Sequence, residues 1–262
     1  MVKYGNECWW CQLDIASTSE HKYKKSDFLK LFGSERGDQI IFNDILTKDV
    51  QGPNSDLLKF HKNLCPDCNN SRSSKMDKAY SNFFEFMIDN YESIITSGVV
   101  DFKNIFGTKW ITQKKNVMRY FLKHICCRLH KNCISIPSNY LKFLNGYDIM
   151  NEVSLRFCFN KDQLIAFKEG HPYLGVDPLL TNVNEDITIN YIGSSYNFGP
   201  FKVHYLCSQG FHKGQHYAYE EYQNQSSICI YESDNDKNLF KHMTKQEYFQ
   251  NELERIKSNT QE

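Results

Sequence analysis

The sequence predicts an α+β fold in three parts, and three observations support this prediction. Four cysteines occur as two Cys-x-x-Cys pairs in the first part of the chain. Apolar residues recur at three- and four-residue steps from about residue 77 to residue 144, which is typical of amphipathic helices. Beyond residue 150, short apolar runs alternate with turn residues, which is typical of strands. We therefore expect a cysteine-rich N-terminal module, a helical middle part and a β-rich C-terminal part.

These patterns divide the chain into residues 1–100, 101–150 and 151–262, although no Pro/Gly/Ser-rich linker marks either boundary. The first 76 residues have an irregular pattern with short strand-like runs. A helix should begin near Asp77 and end at Gly98, because glycine commonly follows the last turn of a helix. Other helices are expected at Trp110 to His130, Ser138 to Leu144, Gln163 to Lys168 and Thr244 to Ile256. Strands are expected at Ser154–Phe159, Ile187–Ile192, Phe201–Cys207 and Ile228–Tyr231.

The composition is that of a globular protein without a global charge. Hydrophobic residues make up 40 % of the 262 residues, and the 31 basic residues balance the 31 acidic ones. The charge is uneven, however, because residues 101–150 contain nine Lys or Arg and only two Asp or Glu. Such a stretch can bind a phosphate backbone or form a solvated helix face, and both interpretations remain open.

The sequence gives no sign of a membrane or a secreted location. No apolar run approaches the roughly 20 residues that span a bilayer. The stretch from Met1 to Cys8 is polar and lacks the apolar centre of a secretory signal. We therefore expect a cytoplasmic protein without membrane contact. In that reducing compartment, ten cysteines indicate metal ligands and buried thiols rather than disulfides.

The strongest motif consists of the pairs Cys8-Trp9-Trp10-Cys11 and Cys65-Pro66-Asp67-Cys68. Each pair places two thiolates on one turn, and two pairs complete a tetrahedral four-sulfur site that favours Zn²⁺. A closed site of this kind has no open position, so the zinc would be structural. The alternative is two unrelated redox or buried pairs.

A second set of polar residues lies between and after the cysteine pairs. Glu20 and His21 follow the first pair, and Asn69 comes directly after Cys68. A carboxylate and an amide oxygen suit a hard ion such as Mg²⁺. An imidazole with a pKa near neutrality suits a general base. Phosphodiester hydrolysis needs both, because a base activates water while a cation offsets charge on the phosphate.

The combination of the two cysteine pairs, Glu20-His21 and Leu64-Cys65-Pro66-Asp67-Cys68-Asn69 resembles the HNH endonucleases, in particular their zinc-knuckle subgroup. The resemblance covers roughly residues 5 to 85. It implies a ββα-metal fold, in which two strands and a helix surround one catalytic divalent ion, Mg²⁺ or Mn²⁺. Carried over by position, Glu20 and Asn69 match the ligands of that ion and His21 matches the general base.

Two positions depart from the family pattern. Family members often have an asparagine nine residues before the last ligand, which orients the base, but this chain has Phe60 there. Asn54 or His61 could substitute if the loop is longer. Family members also often have a proline three residues after the histidine, where this chain has Lys24. Both departures leave room for a diverged or inactive member.

Several residues have competing interpretations. Asn69 could cap the following helix instead of binding a metal, and Asp77 is then the reserve ligand. Cys126, Cys127, His130 and Cys133 could form a second metal cluster, although cysteines on a helix are more often buried apolar residues. Phosphate contacts are expected from five basic residues that could instead be solvated: Lys22, Lys24, Lys25, Arg72 and Lys75.

The resemblance implies a metal-dependent endonuclease that hydrolyses DNA, most readily double-stranded DNA. Modules of this family often occur in bacterial or phage defence, so an antiviral role and a regulatory protein partner are expectations by analogy. The alternative from another class is a non-catalytic zinc-binding module that binds nucleic acid or protein on the same scaffold. RNA cleavage is a third possibility, because a metal site does not by itself select DNA over RNA.

Overall fold

The computed structural model describes residues 6–33, 40–43, 46–49, 52–147, 153–176, 180–183, 189–208 and 225–232. Within these ranges the chain has a mixed α+β fold, as the sequence predicts. Seven described helices accompany a mixed sheet of nine described strands.

The N-terminal part contains more regular structure than its irregular pattern suggests. Its elements are helix α1 (Lys25–Phe32), strands β1 (Ile40–Asn43) and β2 (Leu46–Asp49), a 3₁₀ turn (Asp56–Leu58), a π turn (Asp67–Arg72), and helices α2 (Ser74–Asp89) and α3 (Tyr91–Ser97). Sequence periodicity does not reveal α1, because this eight-residue helix buries only Asp27 and Phe28. Two helices replace the single helix expected up to Gly98, because the chain breaks at Asn90. Gly98 adopts φ 68° and ends α3, as predicted.

The middle part is helical and agrees with the prediction. After the short strand β3 (Val99–Asp101) come α4 (Phe102–Phe106), α5 (Trp110–Lys131) and α6 (Ser138–Leu144). In α5 every side chain from Asn116 to His130 is buried. A helix with a polar face toward solvent would alternate between buried and exposed positions. Since residues 116–130 of α5 do not alternate in this way, this part of the helix is covered on all sides.

Several basic residues of α5 are buried as well, so fewer of them are available to contact phosphates. Of the nine basic residues in 101–150, four are buried: Lys114, Arg119, Lys123 and Arg128. The Arg119 Nε donates to the carbonyl of Phe143 (2.8 Å), and the Arg128 guanidinium donates to Ser194 Oγ (2.5 Å). These cations therefore serve internal contacts rather than a solvated or DNA-facing surface.

The C-terminal part supplies most of the sheet. It contains β4 (Val153–Phe159), α7 (Lys161–Lys168), β5 (Leu174–Val176), β6 (Leu180–Val183), β7 (Ile189–Phe198), β8 (Phe201–Ser208) and β9 (Ser227–Glu232). The four predicted strands and the predicted short helix are thereby confirmed, with shifted ends. The helix expected from Thr244 to Ile256 lies outside the described residues.

The sheet joins all three parts of the chain. Its strand order is β2-β1-β5-β7-β8-β4-β9-β3, with β6 also paired to β7. Strand β3, which spans the boundary between the N-terminal and middle parts, pairs antiparallel with β9, and β1 of the N-terminal part pairs parallel with β5. The long antiparallel pairs β7–β8 and β4–β8 form its centre.

Aromatic rings fill the layer between helices α2 and α5 and the sheet. Phe84 of α2 contacts Phe198 of β7, with ring centroids 5.1 Å apart. Phe121 of α5 stacks on Tyr205 of β8 at 5.3 Å. Large rings of this kind remove much apolar surface from water and fix the distance between helix and sheet. This layer holds α2 and α5 in the positions from which they reach the cysteine-rich module.

Candidate metal centre and the adjoining polar site

Four cysteines converge near the N-terminus. The Sγ atoms of Cys8, Cys11, Cys65 and Cys68 all lie within 4.8 Å of one another. The first pair is held on a tight turn, because the Gln12 N–H donates to the Cys8 carbonyl at 2.8 Å and Gln12 adopts φ 56°. In the second pair the Cys68 N–H donates to Cys65 Sγ at 3.4 Å. The two turns thus present four sulfur atoms to one point.

The geometry fits a metal ion such as zinc. Four sulfurs about 2.3 Å from a tetrahedral zinc ion lie about 3.8 Å from one another. The Sγ atoms of Cys11 and Cys65 are 3.8 Å apart. Burial raises the pKa of the Cys65 and Cys68 thiols, and a bound cation would stabilise their thiolates. Trp9 and Trp10 are buried beside the cysteines with parallel rings 5.8 Å apart, as expected for residues that pack on the centre.

Two extended segments lie between the cysteine pairs, and a helix follows the second pair. Thr18 forms an antiparallel β-bridge with Leu64, and His21 forms another with Lys59. Between these bridges the Phe60 N–H donates to the Glu20 carbonyl at 2.8 Å. The π turn then carries Cys68 and Asn69 into α2. The two extended segments are joined by isolated bridges instead of a regular ladder. Helix α1, strands β1 and β2 and the 3₁₀ turn lie between them in the chain, and α2 follows the second segment.

Glu20 is buried in an ion pair. Its Oε1 lies 3.0 Å from the Nζ of Lys123, whose side chain is fully buried in α5. The same Nζ lies 2.9 Å from Oδ1 of Asp77 in α2. Burial alone would lower the pKa of Lys123, but the two carboxylates raise it above its ordinary value. Lys123 therefore stays charged and sits between two carboxylates.

Asp77 and His124 complete the surroundings of Lys123. Ser73 Oγ donates to Asp77 Oδ2 at 2.6 Å, which fixes the carboxylate at the start of α2. His124 follows Lys123 on α5, and its Nε2 lies 4.0 Å from Glu20 Oε1. This buried nitrogen has no hydrogen-bond partner among the described residues. Burial holds the pKa of His124 well below its ordinary value, so the ring is neutral.

His21 is half-buried beside this cluster. Its ring makes no hydrogen bond with any residue that the structure describes. Burial lowers its pKa, and neighbouring lysine charges, that of Lys59 first, lower it further. His21 is therefore a neutral imidazole near pH 7. Neither substitute for the missing asparagine orients it: Asn54 is exposed in a turn, and the ring of His61 stacks on His130 with centroids 5.6 Å apart.

Asn69 joins the second cysteine pair to the Glu20-His21 segment. Its Nδ2 donates to the carbonyl of Ser19 at 3.3 Å. Its Oδ1 is buried and accepts no hydrogen bond from the described residues. Asn69 makes no side-chain bond to the N–H groups of α2, so the capping interpretation finds no support. An unsatisfied buried oxygen costs roughly 1–3 kcal/mol, which a bound cation or water would offset.

The five basic residues expected at a phosphate surface differ in their surroundings. Lys24 Nζ is engaged inside the protein, because it donates to the Asp77 carbonyl (2.5 Å) and to Ser81 Oγ (3.0 Å). Lys22 Nζ donates to the Leu57 carbonyl (3.2 Å). Arg72 forms an exposed ion pair with Asp67. The other two, Lys25 and Lys75, have exposed side chains.

The second cysteine cluster does not assemble. In the described part of the chain, the four N-terminal cysteines form the one group of His, Cys, Asp and Glu side chains close enough to hold a metal ion. Cys126 and Cys127 are buried in α5, whereas Cys133 is exposed. The two buried cysteines therefore act as core residues.

Lys123 and His124 are the site residues that sequence reasoning missed. They lie about 100 positions after Glu20 in an apparently basic amphipathic helix, and no motif links them to the cysteine pairs. The sequence offered only a lysine and a histidine within a predicted helix. The structure then shows that this helix is central. That helix is brought to the site by its packing against α2 and the sheet.

The fold and the site define a mixed α+β protein with a cluster of four cysteines near its N-terminus that could hold a metal ion. No protein-family model, curated protein or solved structure matches the chain. The described helices include none that is long and apolar enough to cross a membrane.

Proposed function

We propose that this chain is a zinc-stabilised endonuclease of the HNH type that hydrolyses phosphodiester bonds of DNA. One observation carries the proposal. The Asn69 side chain hydrogen-bonds the carbonyl of Ser19, and so places the residue after the last cysteine against the Glu20-His21 segment. This backbone contact brings Asn69 close to the segment that carries Glu20 and His21, which supports the site that the resemblance to the HNH family implies.

In this proposal His21 is the general base. Its ring is neutral because burial and the neighbouring lysines lower its pKa, and it has no hydrogen-bond partner within the described ranges that would occupy its lone pair. Half-burial leaves it accessible to water and substrate. His21 would take a proton from the attacking water. The same lysine charges would attract the anionic phosphate.

Two metal centres belong to the proposal. Zn²⁺ would be held by Cys8, Cys11, Cys65 and Cys68, and its role would be structural because all four positions are filled. Mg²⁺ or Mn²⁺ would be held by Asn69 Oδ1 and the Glu20 carboxylate. Such an ion supplies positive charge against the phosphate and the leaving oxygen. The unpartnered Asn69 Oδ1 supports this ligand assignment.

The test is nicking of supercoiled plasmid by zinc-loaded protein with no added metal, with Mg²⁺ or with Mn²⁺. His21→Ala should abolish cleavage, whereas His61→Ala should leave it unchanged, because His61 is exposed and stacks on His130. Single-stranded DNA and RNA are tested as alternative substrates under the same conditions. Cleavage that survives His21→Ala would remove the assignment of the base.

A second candidate is a non-catalytic zinc-stabilised module that binds nucleic acid. The ion pair between Glu20 and Lys123 favours it, because a carboxylate neutralised by an internal cation attracts a divalent ion less strongly. Phe60 at the position of the orienting asparagine favours it too. DNA binding by the folded wild type, without cleavage in any divalent metal, would select this candidate.

A further inference from the structure

We infer that the outer face of the sheet binds single-stranded DNA, with Tyr231 as the ring on which one base stacks. The outer face consists of the side chains that strands β9, β4 and β8 direct away from helices α2 and α5. This binding surface goes beyond the proposed cleavage, and only the choice of DNA over RNA rests on the proposed function. Binding is measured without added divalent metal, so the outcome does not depend on cleavage.

The two faces of the sheet differ because successive residues of a strand point to opposite sides. On the inner face, Phe157 of β4 contacts Phe83 of α2 with ring centroids 5.5 Å apart, and Tyr205 of β8 stacks on Phe121 of α5. The residue before each of these strand residues therefore points to the outer face. The outer face is turned away from both helices, and thus from the polar site that adjoins them.

Strand pairing brings residues of the outer face together in two rows. In one row Cys158 of β4 lies opposite Tyr231 of β9 and opposite Lys202 of β8. In the next row Arg156 of β4 lies opposite His204 of β8. Paired strands are about 4.8 Å apart, so side chains within a row are neighbours. One surface thus combines an aromatic ring, two permanent cations and an imidazole.

Tyr231 is accessible to a ligand. It is 52 % exposed, whereas Tyr205 of the same sheet is buried. The guanidinium carbon of Arg156, another exposed residue, lies 5.2 Å from the centre of the Tyr231 ring. A nucleobase has a flat face that can cover such a ring, and arginine adds a cation–π contact. The planar guanidinium can stack and still donate hydrogen bonds to a phosphate.

The charge of the outer face suits a phosphate backbone. Arg156 and Lys202 are permanent cations, and among the described residues of β4, β8 and β9 none directs a carboxylate to this face. Glu232 follows Tyr231 on the opposite side of its strand and pairs with Lys161 at 2.8 Å. Exposed rings among cations bind single strands, because bases stack on the rings while phosphates contact the cations. Bases of a duplex are already stacked on one another, so a single strand fits better.

The first experiment measures binding of a fluorescently labelled single-stranded oligodeoxynucleotide by anisotropy. We expect Tyr231→Ala to weaken binding roughly tenfold, because one base loses its stacking partner. Tyr231→Phe keeps the ring and should bind as the wild type does. Tyr147→Ala is the matched control, because Tyr147 is an exposed tyrosine that follows α6 and lies outside the sheet. Equal affinity of Tyr231→Ala and the wild type would overturn the inference.

The salt dependence of the same binding tests the phosphate contact. Arg156→Ala should reduce the slope of log affinity against log salt by about 0.7, the value for one contact with a single strand. Arg156→Lys keeps the charge and should keep the slope. Lys30→Ala is the control, because Lys30 already pairs with Asp89 at the surface. An unchanged slope in Arg156→Ala would contradict the proposed surface.

Competitors identify the ligand. Tyr231→Ala should leave the affinity for duplex DNA unchanged, because paired bases do not offer their faces to the ring. Tighter binding of RNA than of DNA, or equal competition by polyglutamate, would overturn the assignment of the ligand. His21→Ala should bind the single strand as the wild type does. Binding that depends on Tyr231 in a protein that does not cleave DNA would therefore contradict only the proposed function.

Photo-crosslinking locates the contact without a substitution, and so gives an answer even if circular dichroism shows that Tyr231→Ala is unfolded. A single strand that contains iodo-deoxyuridine is irradiated in complex with the wild-type protein. Mass spectrometry should find the nucleotide attached to Tyr231. Crosslinks confined to residues outside the outer face would overturn the inference.

Discussion

The Sγ atoms of Cys11 and Cys65 lie 3.8 Å apart although 54 positions separate these residues in the sequence. Closing so long a loop costs conformational entropy. Among the described residues within it, the large apolar side chains buried in the core are Tyr23, Phe28, Leu58, Phe60 and Leu64. Hydrogen bonds between Thr18 and Leu64 help to close the loop, but they are few. A metal ion bound by the four cysteines would supply additional free energy.

Loss of one cysteine should therefore destabilise the N-terminal module strongly. We expect Cys65→Ser to reduce zinc from one ion per chain to well below one, and to lower the melting temperature by roughly 10 °C or more. Elemental analysis and thermal denaturation measure the two effects. Cys133→Ser is the control, because Cys133 is exposed and lies outside the cluster. Full stability of a zinc-free Cys65→Ser protein would show that the centre is not structural.

The middle and C-terminal elements could be predicted from sequence because their burial follows a regular period. The helix Ser138–Leu144 has the predicted ends, and Trp110–Lys131 is one residue longer than predicted. The break at Asn90 could not be predicted, because the apolar spacing continues across it. Helix α1 lacks such spacing and is fixed by tertiary contacts, among them the hydrogen bond from Tyr80 to Asp27.

The candidate site was predictable only where its residues are close in sequence. The two cysteine pairs have a spacing that itself indicates a metal ligand set. Glu20 could be predicted as a site residue from its position beside His21. Its buried ion pair could not be predicted, because Lys123 belongs to a helix that is distant in the sequence. The burial of α5 could not be predicted for the same reason. Its basic residues suggested a face that contacts solvent or phosphate, whereas the packing of the helix on the sheet places them inside the protein.

Asp27 connects α1 to the core and should make stability depend on pH. Tyr80 OH donates to its carboxylate at 2.8 Å, and Tyr196 OH does so at 3.4 Å. Burial raises the pKa of Asp27 from 3.8 to about 6, in spite of these hydrogen bonds. The folded protein thus binds this proton more tightly than the unfolded chain. The protonated Asp27 carboxyl therefore contributes its full stabilisation below about pH 4, and this contribution is lost as the pH rises to about 6 and above.

Asp27→Asn should remove this dependence, because the amide is neutral at all pH values and its oxygen can still accept the bond from Tyr80. We expect the variant to gain stability relative to the wild type by about 3 kcal/mol between pH 4 and pH 7. Urea denaturation of both proteins across this range measures the difference. Any effect of acid on the cysteines is the same in both proteins, so it cancels in the difference between them. A difference independent of pH would contradict the raised pKa.

Phe60 occupies the position where the HNH pattern has an asparagine, but its surroundings demand an apolar ring. It is buried, and its ring meets that of His124 edge-on with centroids 5.8 Å apart. We expect Phe60→Asn to lower the free energy of unfolding by about 3 kcal/mol and to give no gain in plasmid nicking. Phe60→Leu should cost less, because it keeps most of the apolar volume. A stable Phe60→Asn protein with faster cleavage would show that the family's orienting asparagine can be restored here.

Lys75 should contribute to DNA affinity through a phosphate contact that depends on salt. Its side chain is exposed near the start of α2, shortly after the second cysteine pair. Each phosphate contact releases counterions, so Lys75→Ala should reduce the slope of log affinity against log salt by about 0.9. Binding to a labelled duplex at several salt concentrations measures this slope.

Lys168→Ala is the matched control for this measurement, because Lys168 is an exposed lysine that already pairs with Glu92 at 3.3 Å. Its substitution should leave the slope unchanged, since its charge is compensated within the protein. The same slope for Lys75→Ala and the wild type would place the DNA elsewhere on the surface. An equal reduction in both variants would instead indicate attraction by overall charge, without a defined contact beside the cysteine centre.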